Sequence, residues 1–343
     1  MMDFTATLVR NIEQKAMISD RYVNPKLLME PPQGCPSLLF KAKDVVTGKS
    51  VVMKFLNPGV EDPYWRAAFE REEQLLSELK GKSYVVELLE KNCTLQLDLA
   101  SSGDTETPVS LRFLPLERGV KDLSEYIKSL DREPLHTLQL FRELCRAVEE
   151  LHKQGISHRD LKPSNCVLFQ DGSLKLIDFA LSYREGNSVL SQGERYTRWY
   201  SIFIPNHLYG APELYCGFAF TPAQFPVADF FQLGAILFEM WTGLQLMKFL
   251  YQRDFMLDIG HLFCYIQDER RRDNYRNAIQ VIKKKYPLPN VIELTTGPWR
   301  QVAETINEVY QAMAELDYDK RCTDFDWVQN QLGKAIDQLM VEQ

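Results

Sequence analysis

The chain changes texture near residue 118. Before that point, short apolar runs dominate. "SLLFKAKDVVTGKSVVMKFL" (37–56) holds two strand-type runs around Thr47-Gly48, which predicts a hairpin. A helix is expected over about 64–80, then a strand run, "YVVELLE" (84–90). Small polar residues at 101–107 ("SSGDTET") predict an exposed loop ahead of the strand "VSLRFL" (109–114). Beyond 118 the apolar period lengthens. Leu138, Phe141, Cys145, Val148 and Leu151 recur at helical spacing, and Gly155 supplies a stop. Further helices are expected at about 226–243 and across 300–342. The pattern predicts an α+β chain in two unequal lobes: an extension at 1–20, a strand-rich N-lobe at 21–117 and a helical C-lobe at 118–343.

A second hairpin brings chemistry with it. "CVLF" and "LKLI" flank "QDGS", and Asp171-Gly172 is a strong turn signal. In an antiparallel hairpin the residues just before the first strand and just after the second share the open end; here they are Asn165 and Asp178. Two oxygen donors placed there suit a hard divalent cation such as Mg²⁺. Asp160 lies five residues upstream of Asn165, within "SHRDLKPSN" (157–165), and Lys162 adds a positive charge for a phosphate. An acid, an amide, a second acid and a cation so disposed form a phosphoryl-transfer constellation.

Composition narrows the setting. With 343 residues, 45% hydrophobic and 25% charged, the chain has ample core and lies far from the disordered class. A net charge of −7 argues against a general nucleic-acid binder, which needs a basic surface. The local basic runs "ERRRD" (269–273) and "KKK" (283–285) read as solvated helix faces. Seven cysteines, an odd number with no C-x-x-C pair, suit free thiols in a reducing compartment, and a cytoplasmic location is expected. The N-terminus lacks a long apolar signal region. The most apolar stretch (234–251) carries Glu239 and Lys248, so it reads as a buried helix rather than a membrane span.

On these motifs the sequence resembles the eukaryotic-type serine/threonine protein kinase family, from about residue 35 to 325. "HRDLKPSN" resembles the catalytic loop, "DFA" (178–180) the metal-binding Asp-Phe-Gly, "GAPE" (210–213) the end of the activation segment, and "VVMK" (51–54) the third strand with its lysine. The resemblance implies a single kinase domain that uses ATP with Mg²⁺ or Mn²⁺ on a protein substrate. In it Asp160 would accept the proton of the substrate hydroxyl, and Lys162 would neutralise the transferring phosphoryl group. Asn165 and Asp178 would hold the metal, and Lys54 would grip the phosphates, itself held by a glutamate of the 64–80 helix. Gly34 would lie in the phosphate-covering loop, and Leu39, Val52 and Val167 would sandwich the adenine. Asp229 would bind the catalytic-loop backbone, and Arg321 would pair with Glu213. Leu76, His158 and Phe179 would stack in a regulatory apolar column, which makes His158 a packing residue rather than a base. Arg159 would meet a phosphate on the activation segment, with Ser188, Ser191, Tyr196, Thr197 and Ser201 as candidate acceptors for autophosphorylation. Lys162, two residues after Asp160, favours Ser/Thr over Tyr.

The glutamate partner of Lys54 can be argued from helix geometry. Glu72 has Ala68, Phe69, Leu75 and Leu76 three and four residues away, which sets it within the apolar stripe. Glu70 has Arg66, Ala67, Glu73 and Gln74 and faces solvent. A carboxylate on a buried stripe needs a partner, so Glu72 is favoured, with Glu73, beside Phe69 and Leu76, as the alternative.

The chain departs from the family pattern in three places. In "PQGCPSLL" (32–39) only Gly34 of three expected glycines remains, and Pro32 has no N–H to offer a phosphate. Ala180 replaces the glycine after Asp178-Phe179, which predicts a stiffer segment. Asn206 stands where a threonine is usual. Residues 244–300 read as a variable helical extension. The altered roof loop motivates an alternative, a pseudokinase or scaffold that binds partners through the same fold. A small-molecule kinase is a third reading, against which Glu213 and Arg321 count.

Overall fold

The computed structural model describes residues 4–31, 35–60, 62–100, 106–185, 209–215, 224–250, 254, 258 and 271–341. The chain divides into two compact units, Met1–Val120 with Phe169–Ala180, and Lys121–Leu168 with Leu181–Gln343.

The first unit is built on a six-stranded sheet. Its strands are β1 (Met17–Ile18), β2 (Tyr22–Leu27), β3 (Ser37–Asp44), β4 (Ser50–Leu56), β5 (Cys93–Ala100) and β6 (Glu106–Glu117), in the order β1-β2-β3-β4-β6-β5. Every neighbouring pair is antiparallel. The expected β3–β4 hairpin forms around Gly48, which takes φ 71°. Successive side chains of a strand point to opposite faces. On β4 this sends Val51, Met53 and Phe55 to one side, and Val52 and Lys54 to the other. The first side is a dense aromatic core in which Phe55 stacks on Phe113 at 4.9 Å and meets Phe40 edge-on at 5.5 Å. Residues before 21, expected as an extension, contribute helix α1 (Phe4–Glu13), whose Leu8 and Ile12 lie in that same core.

Helix α2 (Pro63–Glu78) is the expected 64–80 helix. Asp62 caps it by accepting the Tyr64 N–H at 2.9 Å, and Pro63 occupies the first turn, where a missing N–H costs nothing. The run 84–90 does not form the expected strand. It makes single bridges, Val85 to Leu176 and Leu88 to Leu116, because its first half bonds the segment at Leu176 and its second half bonds β6. No ladder can grow from a segment that changes partner midway. Conversely, β5 alternates Cys93, Leu95 and Leu97 inward with Thr94, Gln96 and Asp98 outward. That period-two signal contains no apolar run and so escapes a search for runs.

The second unit is helical. Helix α3 (Leu123–Lys128) opens with a capping box between Asp122 and Glu125. Helix α4 (Pro134–Lys153) ends ahead of Gly155, which takes φ 68°. The centre is α5 (Phe225–Thr242), in which every residue from Ala228 to Trp241 is buried. A helix buried on all sides belongs in a core, its polar Asp229, Gln232 and Glu239 being hydrogen-bonded there, and this one stops at Gly243 in the left-handed region. Among the described residues no helix is long and apolar enough to cross a membrane. Against α5 pack α4 and α7 (Ala303–Met313), and α8 (Phe325–Val341) packs on α4 and α7; α6 (Arg271–Lys285) is tied to the segment after α7 by the Tyr275 hydroxyl, which donates to the Leu316 carbonyl at 2.7 Å.

Gly234 on α5 is a close-approach position. A Cβ there would stand 2.7 Å from the Ala314 backbone nitrogen. Gly333 on α8 has open space at the same position. Gly234→Ala is therefore expected to destabilise the chain by about 1–3 kcal/mol through overpacking. Gly333→Ala is expected to leave stability unchanged or raise it by up to about 1 kcal/mol. Urea denaturation of both variants checks the contrast, and equal midpoints would contradict it.

Candidate active site

In the first unit, β4 and α2 converge on one ammonium. Lys54 Nζ lies 2.6 Å from Glu72 Oε2 and 2.8 Å from Asp178 Oδ1. Lys54 and Glu72 are buried, whereas the Asp178 side chain is 36% exposed. Burial pulls the Lys54 ammonium down, but Asp178 and then Glu72 outweigh it and hold the group above its usual range. Burial pushes Glu72 up, opposed mainly by Lys54. Glu73, the alternative partner, is also buried, but it pairs with Arg112 and accepts the Asn92 N–H at 2.6 Å. Leu39 pairs with Lys54 across the β3–β4 ladder, and Val52 lies two residues before it on β4. All three side chains therefore share one face, with Leu39 and Val52 half-buried.

Asp178 adopts φ 65°, a left-handed angle rare for a residue other than glycine. Ala180 is not in that region. The sharp turn falls two residues before the missing glycine, so the alanine carries no φ strain in this conformation. Leu76 and Phe179 are buried in this unit.

In the second unit the stretch 157–165 is held from α5. Asp229 accepts the His158 N–H at 2.8 Å and the Arg159 N–H at 2.7 Å, and His152 Nε2 lies 2.9 Å from the same carboxylate. Gln232 accepts the Leu161 N–H at 2.9 Å and donates to the Arg159 carbonyl at 3.2 Å. Gln232 and His152 were not anticipated. Gln232 sits three residues after Asp229 on the same helical face, and that spacing is the signal that would have found it. So anchored, Asp160 receives Lys162 Nζ at 2.7 Å and Asn165 Nδ2 at 3.0 Å on one oxygen. Asn165 Nδ2 also donates to the Asp160 carbonyl at 2.8 Å. His158 is buried, and its Nδ1 accepts the Asp160 N–H at 3.3 Å. Arg159 takes φ 68° and stacks its guanidinium 4.1 Å over the Phe225 ring. Val167, on strand β7 (Cys166–Leu168), is half-buried.

Two further buried contacts lie toward the C-terminal side. Arg321 Nη2 meets Glu213 Oε2 at 2.9 Å with both side chains fully buried, and the same guanidinium donates to the Val227 and Glu315 carbonyls. Tyr209 donates its hydroxyl to Glu239 on α5, whose carboxyl is pushed up by burial. Burial raises the Cys93, Cys145 and Cys166 thiols, Cys93 to about 12, so none of these is a thiolate nucleophile. Pro32, Gly34, Ser188, Ser191, Tyr196, Thr197, Ser201 and Asn206 lie outside the described residues.

The donors fit a hard cation. Among the described residues no group of three or more His, Cys, Asp or Glu side chains gathers as a metal cage. Each unit by itself offers one oxygen donor of the type Mg²⁺ takes when phosphate and water complete its shell, the Asn165 amide in the second and the Asp178 carboxylate in the first. Both side-chain hydrogen bonds of Asn165 use Nδ2, so its amide oxygen is the atom of that side chain with the chemistry of a metal ligand.

The profile of the protein kinase domain family matches residues 33–332, and the chain belongs to that family. Similar proteins include cyclin-dependent and mitogen-activated protein kinases. It is 27% identical to the zebrafish (Danio rerio) cyclin-dependent kinase 9 over 300 residues, covering 87% of this chain and 75% of that protein. It is 29% identical to the Drosophila melanogaster stress-activated protein kinase JNK, covering 66% of this chain and 54% of that one. It is 31% identical to cyclin-dependent kinase 20 of Pongo abelii, covering 62% and 55%. The chain spans about half the length of most of the relatives it matches.

The buried Arg321–Glu213 pair makes a test of packing at this site. Arg321→Met strands a carboxylate in the interior and is expected to cost about 3–5 kcal/mol, whereas replacing both partners by apolar residues costs far less. Thermal denaturation of Arg321→Met and of Arg321→Met with Glu213→Leu checks this, and equal losses would contradict it.

Proposed function

We propose that this chain transfers the γ-phosphoryl group of ATP to serine or threonine hydroxyls of protein substrates, its own activation segment included. The observation that carries the reading is Asp160, a carboxylate on an α5-anchored loop with Lys162 and Asn165 on the same oxygen. A carboxylate so fixed orients a hydroxyl and accepts its proton. Lys162 neutralises the negative charge that spreads over the transferred group. Lys54, set by Glu72, grips the phosphates of the nucleotide, and Leu39, Val52 and Val167 hold its base. Asn165 and Asp178 would hold Mg²⁺, which would supply charge neutralisation when bound. Arg159 receives a phosphate placed at Ser188, Ser191, Tyr196, Thr197 or Ser201. The domain limits 21–117 and 118–343 and a cytoplasmic setting complete the reading.

Radiolabelled phosphate transfer to a generic basic protein is the test. Asp160→Asn and Lys54→Met are each expected to lower the rate by about 100-fold or more. A rate equal to wild type in Asp160→Asn would overturn its role. Thermal shift with millimolar ATP and Mg²⁺ adds a second readout: stabilisation supports the kinase reading, and no shift favours the scaffold. Intact mass after incubation with ATP, against Asp160→Asn, reads autophosphorylation.

A further inference from the structure

Glu72 and Glu73 are adjacent on α2, both buried, and each has its own cation from the sheet. Lys54 stands on β4 and Arg112 on β6, neighbouring strands in which Lys54 pairs with Leu114. Arg112 lies two residues before Leu114, so it projects from the same face as Lys54. Its guanidinium bonds Glu73 through Nη2 and Glu70 Oε1 through Nη1 at 2.7 Å. It also lies 5.7 Å over the Phe69 ring. Glu70 and Glu73 are three residues apart and flank one ridge of the helix. Glu73 has a second anchor, the Asn92 N–H at 2.6 Å, in a turn where Asn92 takes φ 55°.

From this we infer that Arg112 is a positioning residue for phosphoryl transfer, latching α2 to the sheet in the rotation that presents Glu72 to Lys54. The inference rests on the kinase reading above. One ion pair fixes a point on a helix but leaves it free to turn about its axis. A second, on the next strand and bonded to the adjacent residue, removes that freedom. Turning α2 so as to withdraw Glu72 must break both bonds of Arg112. The planar fork of arginine matters here, because two carboxylates are held at once.

The test compares wild type, Arg112→Met and Arg112→Lys as full chains, at a temperature where each is folded. The first readout is acylation of Lys54 by an N-hydroxysuccinimide ester, followed by peptide mass spectrometry with exposed Lys41 and Lys43 as internal references. Arg112→Met is expected to raise the relative rate at Lys54 several-fold, and Arg112→Lys to restore part of the protection. The second readout is steady-state phosphoryl transfer, where Arg112→Met is expected to lower kcat by about 10- to 100-fold, the scale of a misplaced reacting geometry. KM for the protein substrate is expected to hold. A lower melting temperature with unchanged Lys54 protection and unchanged kcat would reduce Arg112 to a structural role and overturn the proposal. If the wild type transfers no phosphate, the kinase reading falls, and Lys54 acylation alone then decides whether Arg112 latches α2.

Discussion

Asp229 is a carboxylate with no exposure to solvent, inside a helix whose neighbours are almost all apolar. Leaving such a charge without partners costs several kcal/mol. The second unit meets that cost by turning backbone toward it: the His158 and Arg159 amides, with the His152 ring, satisfy both oxygens. Hydrogen bonds to an ionised acceptor are stronger than neutral ones, so the loop gives up freedom in exchange for short, directed contacts. The left-handed angle of Arg159 follows from this constraint. Two successive amides can point at one carboxylate only if the chain turns sharply between them, and the turn sets Asp160 facing Lys162 and Asn165.

The first unit solves the opposite problem, a buried cation. Lys54 has two carboxylate neighbours, Glu72 and Asp178, and their combined field keeps it an ammonium despite burial. The two acids differ in environment. Glu72 is buried on a helix and has little alternative to Lys54, whereas Asp178 is partly exposed on a strained turn. Strain of this kind persists where surrounding structure over-determines it.

Much of this was legible in residue order because the chemistry is dense over short stretches. The acid, cation and amide of 157–165 lie within six residues, and their mutual contacts are local. Glu72 was identifiable because its helix has a single apolar stripe and it lies on it. What stayed hidden depends on elements far apart in sequence. Arg112 reads as one polar position in an alternating strand, and only the β4–β6 register brings it level with α2. The run 84–90 has strand composition, but its two halves serve different partners, which composition does not encode. Residues 4–13 form a core helix because Leu8 and Ile12 join the core on the Val51, Met53 and Phe55 face of the sheet, a fact of topology rather than of local pattern.

Adjacent acids on one helix pose a design question that the sheet answers. Side chains at successive helical positions diverge by about 100°, so one cation cannot serve both Glu72 and Glu73. If either lacked a partner, α2 would relieve the buried charge by turning that residue toward solvent. Two cations on neighbouring strands remove the option, because each turn that exposes one acid strains the other's bond. The cost of burying Glu73 is thereby converted into orientation of Glu72. Sharing Arg112 with Glu70, which is more than half exposed, adds reach without adding burial. The helix is thus held by opposing demands for charge compensation rather than by apolar contact alone. That arrangement accounts for a buried glutamate at a position where the Lys54 pair by itself would ask only for an apolar residue.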